Sequence, residues 1–255
     1  MKHTQMKTSF TCSLLALVLL LSGCQTEKKN PAQQIVDQAI AAHGMEQLNK
    51  SIVAFDFRGY HYRAIRDGGR FVYERIFSDS LGAVHDSLTN EGFVRRINGK
   101  QVKLTKEKKD AYSNSVNSVI YFALLPYFLN DPAVQKSLLG ESQIKGEPYH
   151  KVKVTFQADG GGKDHEDEYI YWFHQEKHTM DYLAYNYQVE GGGARFRAAY
   201  DQRRVEGILL ADYHNLKPAA ADNLAVSTFD RLYNEDKLVH LSEIKSENIK
   251  MSLND

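Results

Sequence analysis

Cysteine is nearly missing from this chain: 255 residues hold two, Cys12 and Cys24, both close to the start. A disulfide framework is therefore excluded for everything that follows, and so is a thiol nucleophile. Proline is scarce, at five residues, and no Pro/Ser-rich linker divides the sequence. An excess of one charge is missing too, with 32 Lys and Arg against 32 Asp and Glu. A nucleic-acid partner needs a basic stripe. The longest basic cluster, Lys106-Glu107-Lys108-Lys109, is short and interrupted by an acid, and reads as a solvated hairpin end. No Gly-x-Ser-x-Gly elbow is present to raise a serine nucleophile. The longest apolar run, Ser13–Leu21, is shorter than the roughly 20 residues a membrane-spanning helix needs.

What that run does have is context. Lys2, His3 and Lys7 precede it and Leu21-Ser22-Gly23-Cys24 closes it, the layout of a cleaved secretory signal ending in a lipobox. Residues 1–23 are expected to be removed and Cys24 to receive diacylglycerol and a further acyl chain. Several chains hold a protein at a bilayer where one does so marginally, because each buried methylene contributes about 0.8 kcal/mol. Residues 24–30 then form a lipidated polar tether, and residues 31–255 a single domain. Gln25 is not the aspartate that retains lipoproteins in the inner membrane, so the expected address is the outer membrane, on its periplasmic face. Cleavage removes Lys2 and Lys7, leaving 30 basic and 32 acidic side chains, a net charge of −2.

Beyond the tether, Ile35, Val36, Ala39 and Ile40 recur at helical spacing after Asn30-Pro31, a cap followed by a proline in the first turn. Gly44 ends that helix. Short aromatic and β-branched runs follow over 52–63, 71–77, 82–88 and 92–97, and Asn98-Gly99 marks a type I′ hairpin into 100–104. The rhythm breaks at Tyr112–Leu139, where Ser113-Asn114-Ser115 reads as a cap for a helix apolar on nearly every side, Pro126 ends it, and Asp131-Pro132 opens a second helix. Strands return over 149–156, 167–174, 180–187, 194–205 and 208–215, with a weaker pair after Leu224. Two triple-glycine runs, Gly160–Gly162 and Gly191–Gly193, read as turns, since no helix pattern opens after either. The expected fold class is α+β, mostly antiparallel: a curved half-barrel of about 11 strands with helices plugging its concave side.

Three stretches carry a resemblance: the helix ending Ala-Ala-His43-Gly44, the segment from Tyr112 to Ala123 with Leu125-Pro126-Tyr127, and Gly160-Gly-Gly-Lys-Asp-His165 leading to Tyr171-Trp172-Phe173. With the lipobox they resemble an uncharacterised family of Gram-negative envelope lipoproteins. The overall layout is similar to the LolA/LolB-like lipoprotein carriers and receptors. That likeness implies a half-barrel with a helical lid over an apolar cavity for acyl chains.

Candidate chemistry divides into three sets. His165 and Asp167 share a strand face in an acidic stretch and could ligate a divalent metal, although the spacing matches no established motif and an acidic strand entrance is normally only solvated. The aromatics, with one leucine, are the second set: Tyr60, Tyr62, Tyr73, Tyr121, Phe122, Leu125, Trp172 and Tyr185 are expected to line a ligand cavity, since tyrosine offers an apolar body and one hydroxyl; an ordinary aromatic core is the alternative. Polar candidates are Asn114 and Asn117 on the helix, and Arg195 and Arg197, which share a strand face suited to an anionic headgroup or to cross-strand pairing with acids such as Asp181. His43 is expected to bond terminal carbonyls. No cofactor is expected and no motif assigns an enzyme activity. The leading expectation is a lipid-anchored module binding a lipid or acyl chain, then an envelope interaction protein with a protein partner, and last a metal-dependent hydrolase.

Overall fold

The computed structural model describes residues 30–157, 167–187, 192–219 and 225–253. It begins with α1, Pro31–Ala42, whose cap Asn30 accepts a hydrogen bond from the Ala32 amide at 3.0 Å. The helix buries Ala32, Ile35, Val36, Ala39 and Ile40. His43 caps its end and Gly44 follows at φ +69°, in the left-handed region where glycine alone is unstrained. A Cβ at Gly44 would also stand 2.6 Å from the Gly207 carbonyl oxygen.

A meander follows: β1 (Lys50–Phe57), β2 (Tyr60–Asp67), β3 (Arg70–Asp79), β4 (Gly82–Thr89), β5 (Gly92–Ile97) and β6 (Lys100–Gln101). The hairpin expected at Asn98-Gly99 forms, with φ of +49° and +78°. The single strand expected over 52–63 is two, because Arg58 and Gly59 both take positive φ and turn the chain. Next come α2 (Lys106–Ala123), then β7 (Val134–Ile144), β8 (Glu147–Phe156), β9 (Tyr169–His174), β10 (Met180–Tyr187), β11 (Gly193–Val205), β12 (Ile208–Pro218), the short helix α3 (Phe229–Asn234), β13 (Leu238–Ile244) and β14 (Glu247–Leu253).

All pairings among the described residues are antiparallel, in two sheets of seven strands ordered β14-β1-β2-β3-β4-β5-β6 and β13-β12-β11-β10-β9-β8-β7. The last hairpin is split between them, so Lys245 and Ser246 bridge one sheet to the other. The sheets do not close into a barrel: β6 and β7 are opposite free ends of the two orders, with α2 between them in the chain. One core lies between the sheets and takes in α1, Val116 and Ile120 of α2, Phe55, Tyr62 and Tyr171. A second lies on the other face of the second sheet, where Trp172 and Phe196 pack beneath Phe229 and Leu232 of α3. Among the described residues no helix is long and apolar enough to cross a membrane.

Three expectations around the central helix need correction. It starts at Lys106, capped by Thr105, so Lys106–Lys109 is its first turn and not a hairpin end, and Ser113-Asn114-Ser115 lies inside it. Lysines propagate helices well, and Lys106 pairs with Asp110 one turn on, at 2.9 Å; their polarity resembles a loop only when the cap ahead of them is overlooked. The helix expected after Asp131-Pro132 is strand β7, because Val134–Ile144 finds a backbone partner along β8, with one shift of register between Leu138 and Gly140. The described residues form 14 strands, where about 11 were expected; the split of β1 from β2 and the addition of β7 account for most of the difference.

Candidate ligand cavity

Strand alternation sends Tyr169, Tyr171 and Phe173 of β9, Leu183 and Tyr185 of β10 and Arg195 and Arg197 of β11 to the inner face of the second sheet, opposite α2. Among the described residues two cavities lie there, of about 460 Å³ and about 410 Å³. Both use Ser118 and Phe122, so α2 is their common wall.

The first cavity sets Phe55 and Phe57 of β1 and Val119 and Phe122 of α2 against Ala211, Tyr213 and Asn215 of β12. Its charged lining is arginine alone: Arg58, Arg195 and Arg197, with no Asp or Glu among the described residues lining it. Arg197 is 9% exposed. Its Nη2 donates to the Tyr185 hydroxyl at 3.0 Å, and its guanidinium lies 4.0 Å from the Phe122 ring centre. The Nε is buried with no hydrogen-bond partner, as is Oδ1 of Asn215, the residue directly opposite Arg197 on β12. Burial raises the Tyr213 hydroxyl pKa, so this wall stays neutral and the arginines supply the charge.

The second cavity is aromatic, with Phe71, Tyr73, Tyr121, Phe128, Phe156 and Tyr169 around it. Its cation, Arg66, hydrogen-bonds Tyr73 and stacks 4.8 Å from the Tyr127 ring centre. Unlike the first, it holds a carboxyl, Asp131, raised in pKa by desolvation against the pull of Arg66 and Lys136. Burial pushes Tyr73 up to about 12.

A family model covering residues 7–246 matches the sequence. The chain belongs to DUF6503, a family of unknown function. No curated protein matches the sequence. Among solved structures, the fold is similar to a LolA superfamily protein from Nitrosomonas europaea, with TM-score 0.51, 11% identity, and 88% of this chain and 94% of that one covered. Weaker likenesses are a DUF1329 family protein from Desulfovibrio piger (TM-score 0.45, 10% identity, 87% and 93% covered) and the lipoprotein LppX from Mycobacterium tuberculosis (TM-score 0.27, 15% identity, 62% and 88% covered). The expected LolA-like architecture of this DUF6503 member is thus present.

Of the residues expected around a cavity, Tyr73, Tyr121, Tyr185, Asn117, Arg195 and Arg197 each line one of the two, and Phe122 lines both. Tyr62 and Leu125 are packed into the core, Tyr62 stacked on Phe55 at 5.5 Å. Tyr60 is exposed against the edge of Phe77, outside both cavities, and Asn114 is an exposed residue of α2 that lines neither. Trp172 requires correction: it points out of the opposite face, under α3, where its indole Nε1 donates to Asp230 Oδ2 at 3.3 Å. The pairing of Arg195 and Arg197 with Asp181 does not form, because Asp181 accepts from the Tyr149 hydroxyl at 3.0 Å and from Gln202 at 2.8 Å.

For a metal, His165 lies outside the described residues and Asp167 is buried at the foot of β9. His174 nearby is a turn organiser, its Nδ1 accepting from the amides of Glu176 and Lys177 and its Nε2 donating to Glu147 at 3.0 Å. The described residues that do bring three ligand atoms together, within 4.8 Å, are His214, His240 and Glu243, where Glu243 is already engaged by Lys245 at 2.8 Å. His43 binds across the fold instead of along its helix: its Nε2 accepts from the Met180 amide at 3.0 Å, which fixes the proton on Nδ1, donated to the Leu209 carbonyl at 3.1 Å. Desolvation lowers its pKa. Sequence reading missed Arg58, Tyr213 and Asn215; the period-two pairs Arg195/Arg197 and Tyr213/Asn215 were the available signal.

Proposed function

We propose that this DUF6503 member is an envelope lipoprotein, acylated at Cys24 and held at the periplasmic face of the outer membrane, that binds a hydrophobic or amphipathic ligand such as an acyl chain between its sheets and α2. The observation that carries the reading is the pair of adjoining cavities walled by α2 and lined by Phe and Tyr. Protein interiors are normally packed to crystal density, and voids of about 300–1,000 Å³ with apolar walls and a few polar groups are what small-ligand sites look like. The LolA-like fold is consistent with that use, and the short tether after Cys24 would keep the domain near the bilayer that supplies such a ligand.

The test is direct. Protein purified from membranes is extracted and its lipids identified by mass spectrometry, and the soluble domain is titrated with a fluorescent fatty acid. Stoichiometric lipid and saturable binding are expected; an empty extract together with no saturable binding overturns the reading. Labelling with a palmitate analogue, lost in Cys24→Ser, tests the anchor. Docking to an envelope partner is a second reading, favoured by exposed Leu138 and Leu139 on edge strand β7, and is tested by crosslinking in membranes at that strand.

A further inference from the structure

Resting on the cavity reading above, the geometry points to a more specific ligand: a single-chain amphiphile with an anionic head, whose carboxylate or phosphate is held by Arg197, Arg195 and Arg58 in the first cavity. The comparably buried arginines Arg75 and Arg95 share a carboxylate, meeting Asp86 at 2.7 and 2.6 Å, and even the half-buried Arg203 meets Asp212 at 3.0 Å. Arg197 has none among the described residues, only the Tyr185 hydroxyl and aromatic faces. A guanidinium taken out of water without a counter-charge is strongly unfavourable, and its Nε is left bare, as is Oδ1 of Asn215, the residue paired with Arg197 in the strand register. An anion in the cavity supplies what Arg197 lacks, and a hydroxyl or protonated oxygen on the same head would satisfy Asn215.

The three cations are graded in depth: Arg58 exposed, Arg195 half-buried and Arg197 buried. Arg58 is set by the positive-φ turn between β1 and β2, 5.2 Å from Phe57, and Arg195 lies 5.0 Å from the Tyr187 ring. An anion would meet rising positive charge and falling water as it moved inward, with Phe55, Val119 and Phe122 left for the chain. A volume of about 460 Å³ suits one chain better than several. The second cavity, with Asp131 in its wall, lacks this bias.

The experiment titrates the soluble domain, below micellar concentrations, with palmitate, hexadecyl phosphate and monopalmitoylglycerol. Palmitate or hexadecyl phosphate is expected to bind about tenfold or more tightly than the neutral lipid, since charge-assisted hydrogen bonds are about twice as strong as neutral ones. The stronger of the two anions identifies the source. Arg197→Gln should lower the ratio of anion to monopalmitoylglycerol affinity about tenfold. Arg195→Gln, at a less buried site, gives the same pattern at smaller amplitude should the first variant fail to fold. Equal affinity for all three lipids in the unmodified protein overturns the anionic subsite and leaves the apolar cavity standing. No binding of any lipid overturns both.

Discussion

Asp86 offers the sharpest test of how α2 is held where it walls the cavities. Its carboxylate is fully buried on β4, between cross-strand neighbours Arg75 on β3 and Arg95 on β5. Four guanidinium N–H groups reach it: Arg75 Nε and Nη2 at 3.0 and 2.7 Å, Arg95 Nε and Nη2 at 2.6 and 2.8 Å. The same arginines then hold α2, Arg75 Nη1 donating to Ser115 Oγ at 2.8 Å and Arg95 lying 3.6 Å from the Tyr112 ring centre. Asp86→Ala leaves two largely buried cations facing each other with nothing between. Removing one member of a buried ion pair typically destabilises by about 3–5 kcal/mol, a large share of the roughly 5–15 kcal/mol by which domains are stable. At about 2–4 °C per kcal/mol for a domain of this size, the melting temperature should fall by about 6–20 °C. Urea unfolding followed by circular dichroism measures the loss. A change below about 1 kcal/mol at constant m-value would refute the claim that this cluster anchors the helix.

Three further outcomes are expected. Val119→Trp, which fills the first cavity from α2, should reduce fluorescent fatty-acid affinity about tenfold or more, as one extra hydrophobic group too many in a packed site disfavours occupancy; unchanged affinity would place the ligand elsewhere. Because the His43 pKa is lowered by burial from 6.5, the unfolded chain binds the proton more readily, so stability is full above about pH 6.5 and declines on acidification below it. His43→Gln should flatten that slope in urea titrations from neutral pH downward, and an identical slope would remove His43 as its source. Trp172→Ala should destabilise by about 3–5 kcal/mol while leaving lipid affinity untouched, since the indole packs under α3 on the far face; a matching loss of affinity after allowing for unfolded protein would contradict that placement.

Local chemistry was the most legible part of the sequence. Asn30-Pro31, Gly44 and Asn98-Gly99 each meet a backbone requirement within their own few residues, and each sits where expected. The strand faces were legible as pairs: Arg195 with Arg197, and Tyr171 with Phe173. Which face was inner was not, because sheet curvature and the seat of α3 depend on contacts over long separations; Trp172 went to the wrong side for that reason. Val134–Ile144 has a polar, half-helical pattern and becomes a strand only through pairing with β8. Likewise Asp181 was a plausible partner for the arginines until Tyr149 and Gln202, from strands on either side, claimed it.

The divided final hairpin has a consequence for biogenesis. Ile244 and Ser246 complete the rim of the first cavity, and the bridge is pinned by the Ser246 amide on Asp212 Oδ1 at 3.1 Å and by Arg203 on the Ser246 carbonyl at 2.6 Å. One wall of the container is therefore laid down after nearly all of the remaining described chain has emerged, and a nascent or clipped molecule lacking it would present an open aromatic gutter to its surroundings.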